Sequence, residues 1–169
     1  VYDKIFEIME KHDIECLFYI GGNDSMDTIK MLSDYAALKG KPQRFMGVPK
    51  TIDNDLPITD HCPGYGSAAK YIATSMKEII RDNASFGVEK PTVCVVEIMG
   101  RHAGWLTAAA ALSRDEDCEG PDMIYVPEVT FDMDDFMARV KDLAARKHSV
   151  VIAVSEGIKI ADGRFVCEL

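Results

Sequence analysis

Apolar residues along this chain fall into two rhythms, and the alternation between them sets the first expectation. Ile5, Ile8 and Met9 recur at helical spacing within Val1 to Asp13, with Lys4 and Glu7 among them, which predicts an amphipathic helix. Cys16 to Ile20 then form a short apolar run closed by Gly21-Gly22, which predicts a strand. Ile29, Leu32 and Ala36 mark a second helix beginning near Asp24 or Ser25, and Phe45 to Val48 a second strand stopped by Pro49. After a polar, turn-rich stretch from Lys50 to Pro63, Ala68 to Ile80 places Ile72, Met76, Ile79 and Ile80 on one helical face. Val93 to Met99 is a nearly continuous apolar strand, followed by a helix around Ala103 to Leu112. Met123 to Val126 is a fourth strand, Asp132 starts a helix carrying Phe136, Val140 and Leu143, and Val150 to Val154 is a fifth strand.

Strands that are apolar without alternation, separated by helices, indicate parallel pairing under helical cover. The expected class is α/β, a doubly wound, mostly parallel sheet with helices on both faces. A junction between sub-domains is expected where Pro63, Gly64 and Gly66 cluster, within Asp60 to Tyr65. Residues 1–60 then form part of one sub-domain and residues 61–169 another.

Composition narrows the function classes. The 169 residues are 47% hydrophobic and 28% charged, as in soluble globular proteins, and no apolar run approaches the ~20 residues of a membrane span. The net charge of −9 argues against a nucleic-acid partner, because phosphate backbones select basic surfaces. Cys16, Cys62, Cys94, Cys118 and Cys167 are scattered, with no C-x-x-C pair, so neither a disulfide framework nor a zinc site is indicated and a reducing, cytoplasmic setting is expected. The chain lacks an initiator Met and is expected to open in mid-domain.

In open parallel sheets, ligands bind beyond the carboxyl ends of the strands. Four strand ends here deliver chemistry: Gly21-Gly22-Asn23-Asp24-Ser25, Pro49-Lys50-Thr51-Ile52-Asp53-Asn54-Asp55, Met99-Gly100-Arg101-His102-Ala103-Gly104, and Ser155-Glu156-Gly157. The Gly pair lets backbone approach an anion at a helix start, although Asn23, Asp24 or Ser25 would serve equally as an ordinary cap. Lys50 suits a phosphate, and one of Asp53 and Asp55 suits a general base or metal ligand; the bland alternative is an Asx-turn at Asp53 and Asn54. Arg101 offers a planar fork of donors to a phosphoryl group, or else a surface ion pair. Gly64-Tyr65-Gly66-Ser67-Ala68-Ala69 matches a dinucleotide fingerprint, but Asp60-His61-Cys62-Pro63 stands where that mechanism needs an apolar strand, so a hinge and a helix start are expected instead.

In order and spacing, the first three segments resemble the signature segments of phosphofructokinases, and the resemblance runs across essentially the whole chain. It implies a cytoplasmic glycolytic phosphotransferase that phosphorylates fructose 6-phosphate to fructose 1,6-bisphosphate with Mg²⁺, as a homo-oligomer. Asp53 would be the base that takes the proton from the 1-hydroxyl, and Arg101 would steady charge on the transferring phosphoryl group, with Lys50 beside the donor. Thr51 and Asp55 would help hold the sugar or the metal-phosphate, Met99 and Gly100 would line the sugar site, and Glu156 would bind a sugar hydroxyl. Gly21, Gly22, Asp24 and Lys50 would bind the phosphoryl donor. The resemblance assigns residues 1–60 to the larger, donor-binding sub-domain and residues 61–169 to the smaller, sugar-phosphate-binding one.

ATP-dependent relatives resemble this chain but carry glycine where Asp24 and Lys50 stand. A carboxylate at Asp24 crowds and repels a nucleotide's inner phosphate, and Lys50 adds a cation where pyrophosphate would sit, so the resemblance favours the pyrophosphate-dependent, reversible members. The alternatives are an ATP-dependent enzyme and a non-catalytic regulatory subunit of the same fold. Asn23 occupies the place of an aspartate associated with Mg²⁺, which leaves Asp24 as the candidate ligand. Thr92 stands where several relatives carry an arginine that reaches a neighbouring subunit's sugar phosphate. The family's opening glycine-rich strand and its closing sugar-phosphate segment are absent from this sequence, so the chain is expected to be a central piece that turns over poorly alone.

Overall fold

The computed structural model describes residues 1–86 and 89–169, which divide into two compact units, Val1–Thr51 and Ile52–Leu169. Within the first, helix α1 (Tyr2–Lys11), strand β1 (Cys16–Gly21), helix α2 (Asn23–Lys39) and strand β2 (Arg44–Pro49) form a βαβ arrangement with one preceding helix. β1 and β2 pair in parallel, Cys16 opposite Arg44 and Gly21 opposite Pro49. The helical rhythm of the sequence becomes packing here. Phe6 of α1 and Leu32 and Ala36 of α2 are buried together, and Leu17 of β1 and Phe45 of β2 pack against them. Helix α2 ends on Gly40 at φ 62, a left-handed conformation that glycine takes without the clash a side chain would bring. On the other face of this sheet Phe18, Ile20, Met46 and Val48 are exposed. The unbroken apolar runs predicted cover on both faces; within this unit only one is covered.

The second unit holds helix α3 (Tyr65–Ala84), strand β3 (Thr92–Ile98), the short helix α4 (Trp105–Ala108) running into a 3-10 turn (Ala109–Ser113), strand β4 (Met123–Tyr125), helix α5 (Met133–Arg146) and strand β5 (Ser149–Ser155). Its three-stranded sheet has the order β3-β5-β4, all parallel. β5 is therefore central, which accounts for the near-complete burial of Val150, Val151, Ile152 and Ala153. One core gathers Met76, Ile98, Leu106, Ala110, Val151 and Ala153, so α3 and α4 cover one face. Helix α5 packs against β5 and β3. Asp132 caps α5 by accepting a bond from Asp135 N at 3.0 Å, the oxygen-bearing side chain expected at a helix start.

Two local expectations changed. Helix α3 begins at Tyr65, not Ala68, because Gly64 at φ 89 takes the capping position and turns the chain directly into the helix. The fingerprint-like glycines thus belong to a helix start. The helix expected over Ala103 to Leu112 is four α-helical residues followed by a 3-10 turn, in which Ser113 Oγ donates to Ala110 O at 2.7 Å.

Candidate functional site

In the first unit the candidate residues gather at the carboxyl end of β1 and β2. Gly21 ends β1, and Lys50 N donates to Gly21 O at 2.8 Å, carrying the parallel pairing one step past Pro49. Gly22 caps α2 through its backbone, its carbonyl accepting from Ser25 N at 3.0 Å and Met26 N at 3.1 Å. The two glycines are not equivalent. A Cβ on Gly21 would stand 2.0 Å from Ser25 Oγ, so only glycine lets Ser25 fold over the strand end. A Cβ on Gly22 would meet Lys50 O at an ordinary 3.5 Å. Asn23 and Asp24 form the exposed first turn of α2, at the positive end of its dipole, and Lys50 is exposed on the adjoining strand end. Thr51, which follows, is buried.

The second unit opens on the segment carrying Asp53. Asn54 organises it. Its backbone is left-handed, φ 57, which asparagine tolerates better than most residues, and its side chain is buried. Asn54 Oδ1 accepts from Cys62 N at 2.8 Å, and its Nδ2 donates to Asp60 O at 3.2 Å. The expected Asx-turn alternative invoked bonds to neighbouring backbone; these bonds instead close a loop eight residues long. Asp53 and Asp55 flank this anchor and are half-buried, with Asp53 Oδ1 out of solvent.

Met99, Gly100 and Arg101 leave the end of β3, and Glu156 leaves the end of β5, its register neighbour: Ile98 lies opposite Ser155. Glu156 N donates to Ile98 O at 3.0 Å, and Glu156 Oε1 accepts from Gly100 N at 3.1 Å. Gly100 sits at φ +136, reserved to glycine, and Arg101 and His102 are exposed beyond it. Beside the end of β3, Ile52 and Met99 help line a groove of about 360 Å³. Its walls include Ile72, Met76, Ile79 and Leu106, which suit apolar contact and not a sugar phosphate.

Three side chains of consequence carry no role of their own in the sequence reading. Ser155 Oγ donates to Gly100 O at 2.5 Å and accepts from Gly157 N at 3.2 Å. Glu128 Oε1 accepts from Gly104 N at 2.7 Å. Asn54 figured only as one residue of a turn. Each acts through a partner distant in sequence, and nothing in hydrophobic period or local spacing marks such a pairing. Thr92, at the start of β3, donates through Oγ1 to His148 O at 3.2 Å. Elsewhere, hydrogen bonding to Asp117 and then to the Lys77 ammonium holds the Asp115 carboxyl well below the usual carboxylate range, in an ion-pair group that ties α3 to the turn at 115–118.

The phosphofructokinase family profile matches residues 1–169. A pyrophosphate–fructose 6-phosphate 1-phosphotransferase of Xanthomonas campestris pv. campestris is 45% identical over 167 residues, 99% of this chain and 40% of that protein. The crystal structure of a pyrophosphate-dependent phosphofructokinase from Nitrosospira multiformis superposes with a TM-score of 0.85 at 44% identity, over 96% of this chain and 41% of that one. An ATP-dependent 6-phosphofructokinase of Bacillus cytotoxicus is 38% identical, over 94% of this chain and 45% of that protein. The chain thus spans about 40% of the length of the curated relatives it matches best among these. With a profile match from end to end and the same fold at this identity, the chain belongs to the phosphofructokinase family.

Proposed function

We propose that the enzyme containing this chain transfers a phosphoryl group reversibly between pyrophosphate and fructose 6-phosphate. The observation that carries the reading is the pairing of strand ends in the second unit: Met99-Gly100-Arg101 and Glu156 leave adjacent parallel strands, with Gly100 N bonded to Glu156 Oε1. Residues 1–60 supply the donor-binding part and residues 61–169 the sugar-phosphate-binding part.

In the forward direction Asp53 takes the proton from the 1-hydroxyl of fructose 6-phosphate. That oxygen bonds to the terminal phosphorus of pyrophosphate, the bridging P–O bond breaks, and inorganic phosphate leaves. A positioned carboxylate base contributes ~10²–10⁴-fold. Thr51 and Asp55 hold the sugar or the metal-phosphate, Met99 and Gly100 line the sugar, and Glu156 accepts from a sugar hydroxyl. Arg101 presents its guanidinium to the charge spread over the transferring group, where phosphoryl transfer draws most of its catalysis. Gly21 and Gly22 bring backbone to the donor. Lys50 supplies a cation there, and Asp24 disfavours the inner phosphate of a nucleotide. The 45% identity to a relative named for pyrophosphate, against 38% to one named as ATP-dependent, supports the same donor.

Magnesium fits this chemistry in one form only. Among the described residues no group of three or more His, Cys, Asp or Glu side chains could hold a metal by itself. Mg²⁺ commonly keeps several waters and binds through one or two carboxylates plus substrate phosphates. The exposed Asp24, in the first turn of α2, suits that mode, whereas Asn23 supplies no carboxylate. When bound, the ion neutralises charge on the pyrophosphate oxygens.

The test is the rate of fructose 1,6-bisphosphate formation by the full-length enzyme with Mg²⁺ and pyrophosphate, set beside ATP. A strong preference for pyrophosphate is expected, abolished by Asp53→Ala and relaxed towards ATP by Asp24→Gly with Lys50→Gly. A preference for ATP overturns the donor assignment. Inactivity with both donors overturns the catalytic reading in favour of a regulatory subunit.

A further inference from the structure

The loop that carries Arg101 is gripped at both ends through its backbone. At the leading end Gly100 adopts φ +136, and its peptide is held from two sides. Its carbonyl accepts from Ser155 Oγ at 2.5 Å, and its N–H donates to Glu156 Oε1 at 3.1 Å. Ser155 is 1% exposed, so its hydroxyl has no water to fall back on, and it satisfies itself by also accepting from Gly157 N at 3.2 Å. Gly157 completes the grip by absence: a Cβ there would stand 2.0 Å from Arg101 O and 2.7 Å from its Cα. The backbone of Arg101 therefore rests directly on that of Gly157.

At the trailing end Gly104 N donates to Glu128 Oε1 at 2.7 Å, a bond to a charged acceptor. A Cβ on Gly104 would lie 2.6 Å from both Glu128 Oε2 and Val126 Cβ, so the loop lies flat against the segment that follows β4. Between these holds Ala103 is buried, while Arg101 and His102 project outward. A glycine-flanked loop left to itself would sample many backbone states. Here the hydroxyl of one strand end and the carboxylate beyond another remove that freedom before any substrate arrives.

We infer that Ser155 and Glu128 are positioning residues for Arg101, fixing the loop so that the guanidinium is preorganised for the transferring phosphoryl group. The inference rests on the role given to Arg101 above. Preorganised charge costs no rearrangement in the transition state, and misplacement by about 1 Å can cost ~10²-fold in rate.

The experiment is a double-mutant cycle in the full-length enzyme, with kcat and KM for fructose 6-phosphate and pyrophosphate. Glu128→Ala is the primary variant because Glu128 is exposed and its loss leaves the core intact. Ser155→Ala is the second, paired with a thermal melt to register any loss of fold. Each is expected to lower kcat on the order of tenfold while KM moves by less than about threefold. Glu128→Gln, which keeps the accepting oxygen, should recover most of the loss. In an Arg101→Ala background the same substitutions should lower kcat by less than about twofold, because residues acting through one group are not additive. Equal losses in both backgrounds, or no loss from Glu128→Ala, overturn the inference and leave Arg101 its role. An Arg101→Ala enzyme with undiminished kcat overturns the role of Arg101 and this inference with it.

Discussion

Asn54 offers the sharpest test of how the segment beside Asp53 is built. Its buried side chain makes two bonds across the loop, to Cys62 N at 2.8 Å and Asp60 O at 3.2 Å, from a backbone at φ 57. Asn54→Ala removes both bonds and strands the amide of Cys62, itself a buried residue. An unsatisfied buried donor costs ~1–3 kcal/mol, and the second bond about 0.5 kcal/mol more. Alanine must also hold the left-handed backbone, at roughly 1 kcal/mol. The sum is about 2.5–4.5 kcal/mol. Asn54→Gly loses the same bonds but tolerates the backbone, so it should cost about 1 kcal/mol less. Urea unfolding of the chain separates the two, followed by the fluorescence of Trp105, its single tryptophan, which lies in the second unit. With a slope of ~2 kcal/mol/M, the alanine midpoint should fall by about 1.2–2.3 M and the glycine midpoint by about 0.5 M less. A loss below about 1 kcal/mol for alanine would refute the view that these bonds hold the segment. A glycine variant weaker than alanine would refute the backbone share of it.

Three further outcomes follow from the geometry. Gly157→Ala should lower kcat of the full-length enzyme by ~10²-fold, since a contact of 2.0 Å must open by about 1 Å at the Arg101 peptide; an unchanged rate would remove the close approach from the account. Gly21→Ala should disturb donor binding more than Gly22→Ala, seen as a larger rise in KM for pyrophosphate, because only the first meets Ser25 Oγ at 2.0 Å; equal effects would contradict this ranking. Asp115, held below its ordinary value of 3.8, lends stability that is fully present above that pH and is lost as pH falls through the lower folded value. Lys77→Gln should therefore lower the urea midpoint at pH 7, with the gap to the parent chain narrowing steadily as pH falls from about 4 towards the lower folded value; a gap that did not narrow over that range would assign the effect to packing of the lysine stem.

The order and kind of the elements were legible because they depend on short-range pattern. Helical spacing at Ile29, Leu32 and Ala36 and the run Val150 to Val154 each describe a surface that must be buried, and burial follows. The segments around Gly21, Lys50, Met99 and Glu156 were also legible as strand ends, since glycine, proline and charged residues halt an apolar run. Their placement beyond parallel strands then follows from the fold class.

Tertiary structure decided what depends on residues far apart. The sequence offers no sign that β5 would lie between β3 and β4, since neighbours in a parallel sheet are chosen by crossovers and by core fit, not by order along the chain. Nor does it announce that Ser155 would bond Gly100 across 55 residues, Glu128 reach Gly104 across 24, or Asn54 close a loop onto Cys62. Local sequence chose the side chains that could serve a phosphoryl-transfer site. The hydrogen bonds that fix their backbones arise only when distant segments are brought within 3 Å, and those contacts exist in the folded chain alone.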